Sequence, residues 1–175
     1  MSLRDNQPAT SRDHHHMNPP RNGFTLIELL VVVTVISILA LMTLPTYYSK
    51  LIRDQIVEGS ALANLAKGPI AARWAADKSF PVDNAAAALP AAELIVGNVV
   101  RAVTVQDGAI HITYGNRAHG KLKDKTLSLR PAVVEEAPVV PVAWVCGFAS
   151  GPDKMTVMGQ NRTDIPQEYL PLNCR

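Results

Sequence analysis

Apolar residues are distributed along this chain in three different ways. From Phe24 to Leu44 nearly every position is apolar, the exceptions among these 21 residues being Thr25, Glu28, Thr34, Ser37 and Thr43. After Pro45 the apolar positions thin to a stripe, with Ile52, Ile56, Gly59, Ala63, Ala66, Ile70 and Trp74 recurring at intervals of three or four. The first pattern leaves no polar face. At about 1.5 Å per residue it spans roughly 30 Å, the thickness of a bilayer core, and so predicts a membrane helix. A cleaved secretory signal fits less well: the run is too long, and Leu44-Pro45-Thr46-Tyr47-Tyr48 offers no small-residue cleavage site. The second pattern predicts a helix covered on one face, with Lys50, Arg53, Asp54, Glu58, Asn64, Lys67 and Arg73 largely off it. Together they predict one helix over 24–77, about 80 Å long, whose first half projects from a head domain. Pro45 is expected to kink it or permit local melting, and Pro69 marks a second weak point.

The third pattern predicts strands. Residues 78–100 read as a connector, with Ser79-Phe80-Pro81, an alanine run over 85–88, Pro90, Gly97 and room for a short helix in Ala91–Val96. Arg101–Gln106 and Ala109–Tyr114 flank Asp107-Gly108, a hairpin signal. Lys125–Arg130 and Pro141–Cys146 supply two further strands across a proline-broken stretch. Three or four antiparallel strands covering one helix face make an α+β head. Between Cys146 and Cys174 the chain is broken by Gly147, Gly151, Pro152, Gly159 and Pro166. If the two cysteines are paired, the bridge contributes roughly 3–4 kcal/mol and is what orders this segment. Pairing also requires an oxidising compartment, which leaves the N-terminus in the cytoplasm.

Charge and composition mostly exclude. The mean hydropathy of +0.07 averages a lipid-compatible run with a polar remainder. Lys+Arg 17 against Asp+Glu 15 gives a net charge of +2, too little for an overall electrostatic footprint on nucleic acid or an anionic membrane. No CxxC or Cys/His spacing points to a metal, and His14, His15 and His16 have nothing nearby to complete a site. There is no glycine-rich phosphate loop. His111 lies within a strand, and Glu135-Glu136 point to opposite faces, so no acid/base pair or nucleophile set emerges. The chain is expected to be no enzyme and to carry no cofactor. Asn161-Arg162-Thr163 matches a glycosylation sequon, a pattern common by chance. Lys121, Lys123 and Lys125, spaced by two, would line one face of a strand; they read as a solvated strand edge or as a contact for DNA phosphates.

Glu28 is the one charge between Arg21 and Lys50, and a lone carboxylate in hydrocarbon is costly. It could snorkel to the interface or gain from the positive end of its helix. If the chain is cut before Phe24, a new terminal amine would lie about one turn away. The two charges would then neutralise each other within one chain or between neighbours, and the second arrangement sets a packing register.

Gly23-Phe24-Thr25-Leu26-Ile27-Glu28-Leu29-Leu30 resembles the processing signature of type IV prepilins. Pro45 and the tyrosines after it also fit. Thr126–Pro131, Trp144-Val145-Cys146 and Leu170–Arg175 resemble the strands and C-terminal disulfide loop of type IVa major pilins. The resemblance implies cleavage between Gly23 and Phe24 by a prepilin peptidase, N-methylation of Phe24, a Cys146–Cys174 disulfide, and assembly through Phe24, Glu28 and Pro45. It divides the chain into a leader (1–23), an apolar helix (24–50) and a head (51–175). The head comprises the second half of the helix (51–77), connector (78–100), sheet (101–146) and disulfide loop (146–174). A 23-residue leader is long for this family, whereas Met17–Gly23 alone has ordinary length, so translation is expected to start at Met17.

The expected function is that of a structural pilus subunit. It waits in the inner membrane, N-terminus in and C-terminus out, and then polymerises into a surface fibre for adhesion, twitching motility or DNA uptake. Its implied partners are further copies of itself, the peptidase, the assembly machinery and minor pilins, and a host receptor or DNA. The competing readings are a minor pilin or type II secretion pseudopilin and, from another class, a membrane-anchored DNA- or ligand-binding module that never polymerises.

Overall fold

The computed structural model describes residues 23–175, so the leader and the Met17 start lie outside the described residues. The chain separates after Ala40 into two units, the second being Leu41–Arg175. The long helix α1 covers Leu26–Leu62, and α2 covers Asn64–Asp77. The expected single helix is therefore divided, and at Ala63 rather than at Pro69. Ala63 keeps right-handed dihedrals (φ −63°, ψ −19°), but its N–H donates to Ser60 O at 3.2 Å, a tightened turn. Pro69 sits inside α2, where it lacks a donor, and α1 is helical through Pro45. The end near Asp77 is as expected, with Lys78 left-handed (φ 51°) and its N–H donating to Trp74 O at 2.9 Å.

The second unit is a helix-on-sheet head. Five strands follow: β1 (Val100–Gln106), β2 (Ala109–Tyr114), β3 (Thr126–Val133), β4 (Ala143–Cys146) and β5 (Thr156–Val157). They pair antiparallel in the order β1-β2-β3-β4, with β5 also on β3. Asp107 and Gly108 both take positive φ (48° and 78°), the requirement of the two-residue turn read from the sequence. The stripe residues Ile52, Ile56, Gly59, Ala63, Ala66, Ile70 and Trp74 are all buried. Of these, Ile52, Ile56, Ala63, Ala66 and Ile70 share one core with Val103, Val105, Ile110, Ile112, Tyr114, Leu127 and Leu129 from the sheet. Gly59 is required by close approach: a Cβ there would penetrate the ring of Tyr114, whose hydroxyl donates to Ile56 O at 2.8 Å.

Two departures in the sheet have physical causes. β3 continues through Pro131 instead of ending at Arg130. Pro131 O accepts from Met158 N–H at 2.8 Å, so its nitrogen faces the same side, past the last β2 partner of β3 at Leu129, where no ladder donor is needed. The segment enclosed by Cys146 and Cys174 is also better ordered than a bridge alone would make it. It supplies β5, buries Ile165 and Leu170 in the core, and bonds to β3 through residues 162–164.

Candidate functional site

The N-terminal segment is built to satisfy its own polar groups. Thr25 precedes α1, and its hydroxyl oxygen accepts from Glu28 N–H at 3.3 Å while its carbonyl accepts from Leu29 N–H at 3.1 Å. Thr25-Leu26-Ile27-Glu28 is the T-x-x-E spacing of a capping box, a signal present in the sequence that the reading passed over. Thr34 and Ser37 donate their hydroxyls to Leu30 O (2.8 Å) and Val33 O (2.7 Å), one turn back. Glu28 differs: among the described residues its carboxylate takes no ion pair, and it lies in the first turn of the helix. Phe24, four residues before it, is 78% exposed.

The apolar side chains of this segment are open on every side. From Leu26 to Met42 the large apolar residues range from 81% exposed (Leu26) to 47% (Val32), and consecutive positions point around the whole helix. α1 is the described helix long and apolar enough to cross a membrane. Among the described residues none covers these side chains, a surface that suits a lipid or protein medium.

In the head the two cysteines are bonded, Cys146 to Cys174, with Cα atoms 4.5 Å apart. Residues 161–164 reinforce that closure where β4 does not reach. Asn161 donates to Gly147 O (2.8 Å), Thr163 Oγ1 accepts from Ser128 N–H (3.0 Å), and Asp164 Oδ1 accepts from Thr126 N–H (2.6 Å). Within the sequon, Arg162 and Thr163 thus hold the disulfide loop to β3, and Asn161 ties it to Gly147 just after β4. His111 is buried, with Nδ1 2.9 Å from Ser128 Oγ, which also accepts from Arg162 N–H at 2.8 Å. Burial, and secondarily the nearby Arg162 guanidinium, lower the His111 pKa to about 4, so the ring is neutral in the folded head. It packs; it is not placed for general-base work.

The lysines expected on one strand face are not on a strand. Lys121 and Lys123 lie on the turn after β2, and Lys125 sits just before β3. Leu122 between them is fully buried, and Leu122 N–H donates to His119 O at 2.7 Å, which folds the segment into a turn. Lys125 reaches Asp164 Oδ2 at 3.4 Å, so the trio separates into two exposed cations and one paired one. A residue without any sequence signal is Asn84 of the connector. Its buried amide donates to Pro90 O and Val103 O (both 3.0 Å) and accepts from Val105 N–H (2.6 Å), pinning the connector along the outer edge of β1.

Among the described residues no group of His, Cys, Asp and Glu is arranged to hold a metal. Comparison with known proteins bears on the same two regions. A family model described as pilin (bacterial filament) matches residues 53–175, and one for the prokaryotic N-terminal methylation motif matches residues 18–44. The chain is 31% identical over 166 residues to a type IV major pilin protein PilE1 of Neisseria gonorrhoeae, covering 91% of this chain and 89% of that one. It is 29% identical over 168 residues to a fimbrial protein of Neisseria meningitidis serogroup A / serotype 4A, covering 91% and 96%. It is 46% identical over 55 residues to the type IV major fimbrial protein FimA of Dichelobacter nodosus, covering 31% and 34%. With a capped apolar helix, a helix-on-sheet head closed by a disulfide, and both family models matched, this chain belongs to the type IV pilin family.

Proposed function

We propose that this structural, non-enzymatic subunit is held in the inner membrane by residues 24–44, N-terminus in the cytoplasm and head outside. A prepilin peptidase cleaves it between Gly23 and Phe24, and Phe24 is N-methylated. Assembly machinery and minor pilins then bring many copies together into a surface fibre. The observation that carries this reading is the uncovered apolar helix, open around its whole circumference from Leu26 to Met42. Such a surface is satisfied by lipid before assembly and by the helices of other copies afterwards. In the polymer the Phe24 amine of one copy neutralises the Glu28 carboxylate of a neighbour, two charges left in an apolar core that specify the register.

The relatives that cover most of the chain are named as major pilins or fimbrial proteins, which favours the major subunit over a minor pilin, a pseudopilin or a non-polymerising binding module. Electron microscopy of fibres sheared from producing cells, with mass spectrometry of their main component, tests the proposal. The expected result is this chain, beginning at a methylated Phe24. Fibres made mainly of another protein, or a mature chain beginning elsewhere, would refute it.

A further inference from the structure

The two lysines freed by the turn have unexpected neighbours. The Tyr48 and His119 rings lie 6.4 Å apart, and His119 N–H donates to Gln55 Oε1 at 2.8 Å, so the turn after β2 is docked on the first turns of the head's helix. Lys121 N–H donates in turn to His119 Nδ1 at 3.2 Å, which places Lys121 two residues from a ring beside Tyr48. Tyr47, Tyr48, Lys50, Arg117, Lys121 and Lys123 are all exposed. Of the acids on these elements, Asp124 is held by Arg101 at 2.8 Å, leaving exposed Asp54 and Glu58 on α1 as the counter-charges.

The level of the patch decides what it meets. Tyr47–Lys50 lie three to six residues beyond Leu44, about 5–9 Å along a helix. The headgroup layer extends roughly 5–7 Å beyond the hydrocarbon core. Tyrosine is favoured at that depth, and lysine or arginine there is attracted to anionic headgroups. We propose that Tyr47, Tyr48 and Lys50 on the helix, with Lys121 and Lys123 on the docked turn, form a collar seated on anionic phospholipid headgroups while the subunit is in the membrane. The collar rests on the membrane residence proposed above. It holds the head against the bilayer surface through a contact that is broken on extraction into a fibre.

The test uses the full-length mature chain in lipid nanodiscs, either neutral phosphatidylcholine or phosphatidylcholine with phosphatidylglycerol. Lysine acylation by an uncharged amine-reactive ester is followed site by site by mass spectrometry. Co-elution of the chain with the discs is scored first, and failure to co-elute would refute membrane residence itself. With the chain inserted, Lys121 and Lys123 are expected to react roughly tenfold more slowly in anionic discs at low salt, an effect lost at high salt. Exposed Lys154, in the disulfide loop, should react equally in both. Equal rates for Lys121 and Lys123 in the two lipids, or equal slowing of Lys154, would overturn the collar. So would protection by duplex DNA in neutral discs without protection by anionic lipid, which would assign the two lysines to nucleic acid instead.

Discussion

Residues 24–40 and the head that begins at Leu41 draw on similar aliphatic side chains, and those side chains meet opposite surroundings. In the head, Ile52, Ile56 and Ile70 are at most 2% exposed, packed against a sheet from the same chain. In the first segment Ile36, Ile38 and Leu39 are all more than half exposed. Polar groups follow the same division. In the head, buried polar side chains reach across long sequence separations, Asn84 to Val103 and Val105, and Tyr114 to Ile56. The first segment pairs them within one helical turn, through Thr25, Thr34 and Ser37. A unit that satisfies its backbone and hydroxyls locally but leaves its apolar surface bare can move between apolar media without unfolding. Glu28 is the exception, and the function proposed above makes it the point at which assembly is specified.

Replacing Glu28→Ala attacks that distinction most directly. If one charge of an apolar-core pair is lost, about 3–5 kcal/mol per added subunit goes with it, on the order of a hundredfold or more in fibre yield. Immunoblots should show the processed chain retained in the membrane fraction and nearly absent from sheared fibres; normal fibre yield would sink the register role. Ile112→Ala, on the fully buried head side of the comparison, should cost about 2–5 kcal/mol in thermal or denaturant unfolding of the detergent-solubilised chain. Leu39→Ala, by contrast, should leave head unfolding within about 0.5 kcal/mol of the parent. A comparable loss from Leu39→Ala would mean that the two units are not energetically separate.

Smaller effects probe the closures within the head. Removing both bridge cysteines as Ser should cost about 3 kcal/mol. The contacts of residues 161–164 predict that Thr126 and Ser128 amides stay protected in hydrogen exchange; loss of that protection would make the bridge the sole organiser. Asn84→Ala leaves the Val105 N–H and two carbonyls without their side-chain partner, a loss of about 1–3 kcal/mol in the same unfolding assay. The smallest effect is a pH slope. The folded pKa of His111 is lowered from 6.5 to about 4, so between those values the unfolded chain binds more protons. The stability contribution of the neutral ring is complete above about 6.5 and is lost as pH falls through 4. His111→Gln should flatten that slope in stability measured against pH, and an unchanged slope would place its origin elsewhere.

Much of this architecture was legible because its signals are local. The apolar run, the three- and four-residue stripe and the Asp107-Gly108 turn each depend on residues close in sequence, and each appears as read. The Thr25 cap was equally local and was missed only because its T-x-x-E spacing lies inside the more conspicuous processing signature. The lysine pattern failed for the opposite reason. A spacing of two implies one face only if the chain is extended, and burial of Leu122 in the core folded that segment into a turn. The disulfide loop looked dependent on its bridge because glycine and proline counts do not reveal what its polar side chains meet on β3.

By itself the sequence determined that one end of this protein must live in an apolar medium, that a striped helix covers a sheet, and where the processing signature lies. These follow from periodicity and from residue types whose preferences act over a few positions. Only the tertiary structure decided that Lys125 pairs with Asp164 while the turn that carries Lys121 and Lys123 docks beside Tyr48 through His119, that the sequon is used as a clamp, and that Asn84 guards the edge of β1. Each of these joins residues tens of positions apart. Such meetings are set by how the core closes, and no local pattern carries them.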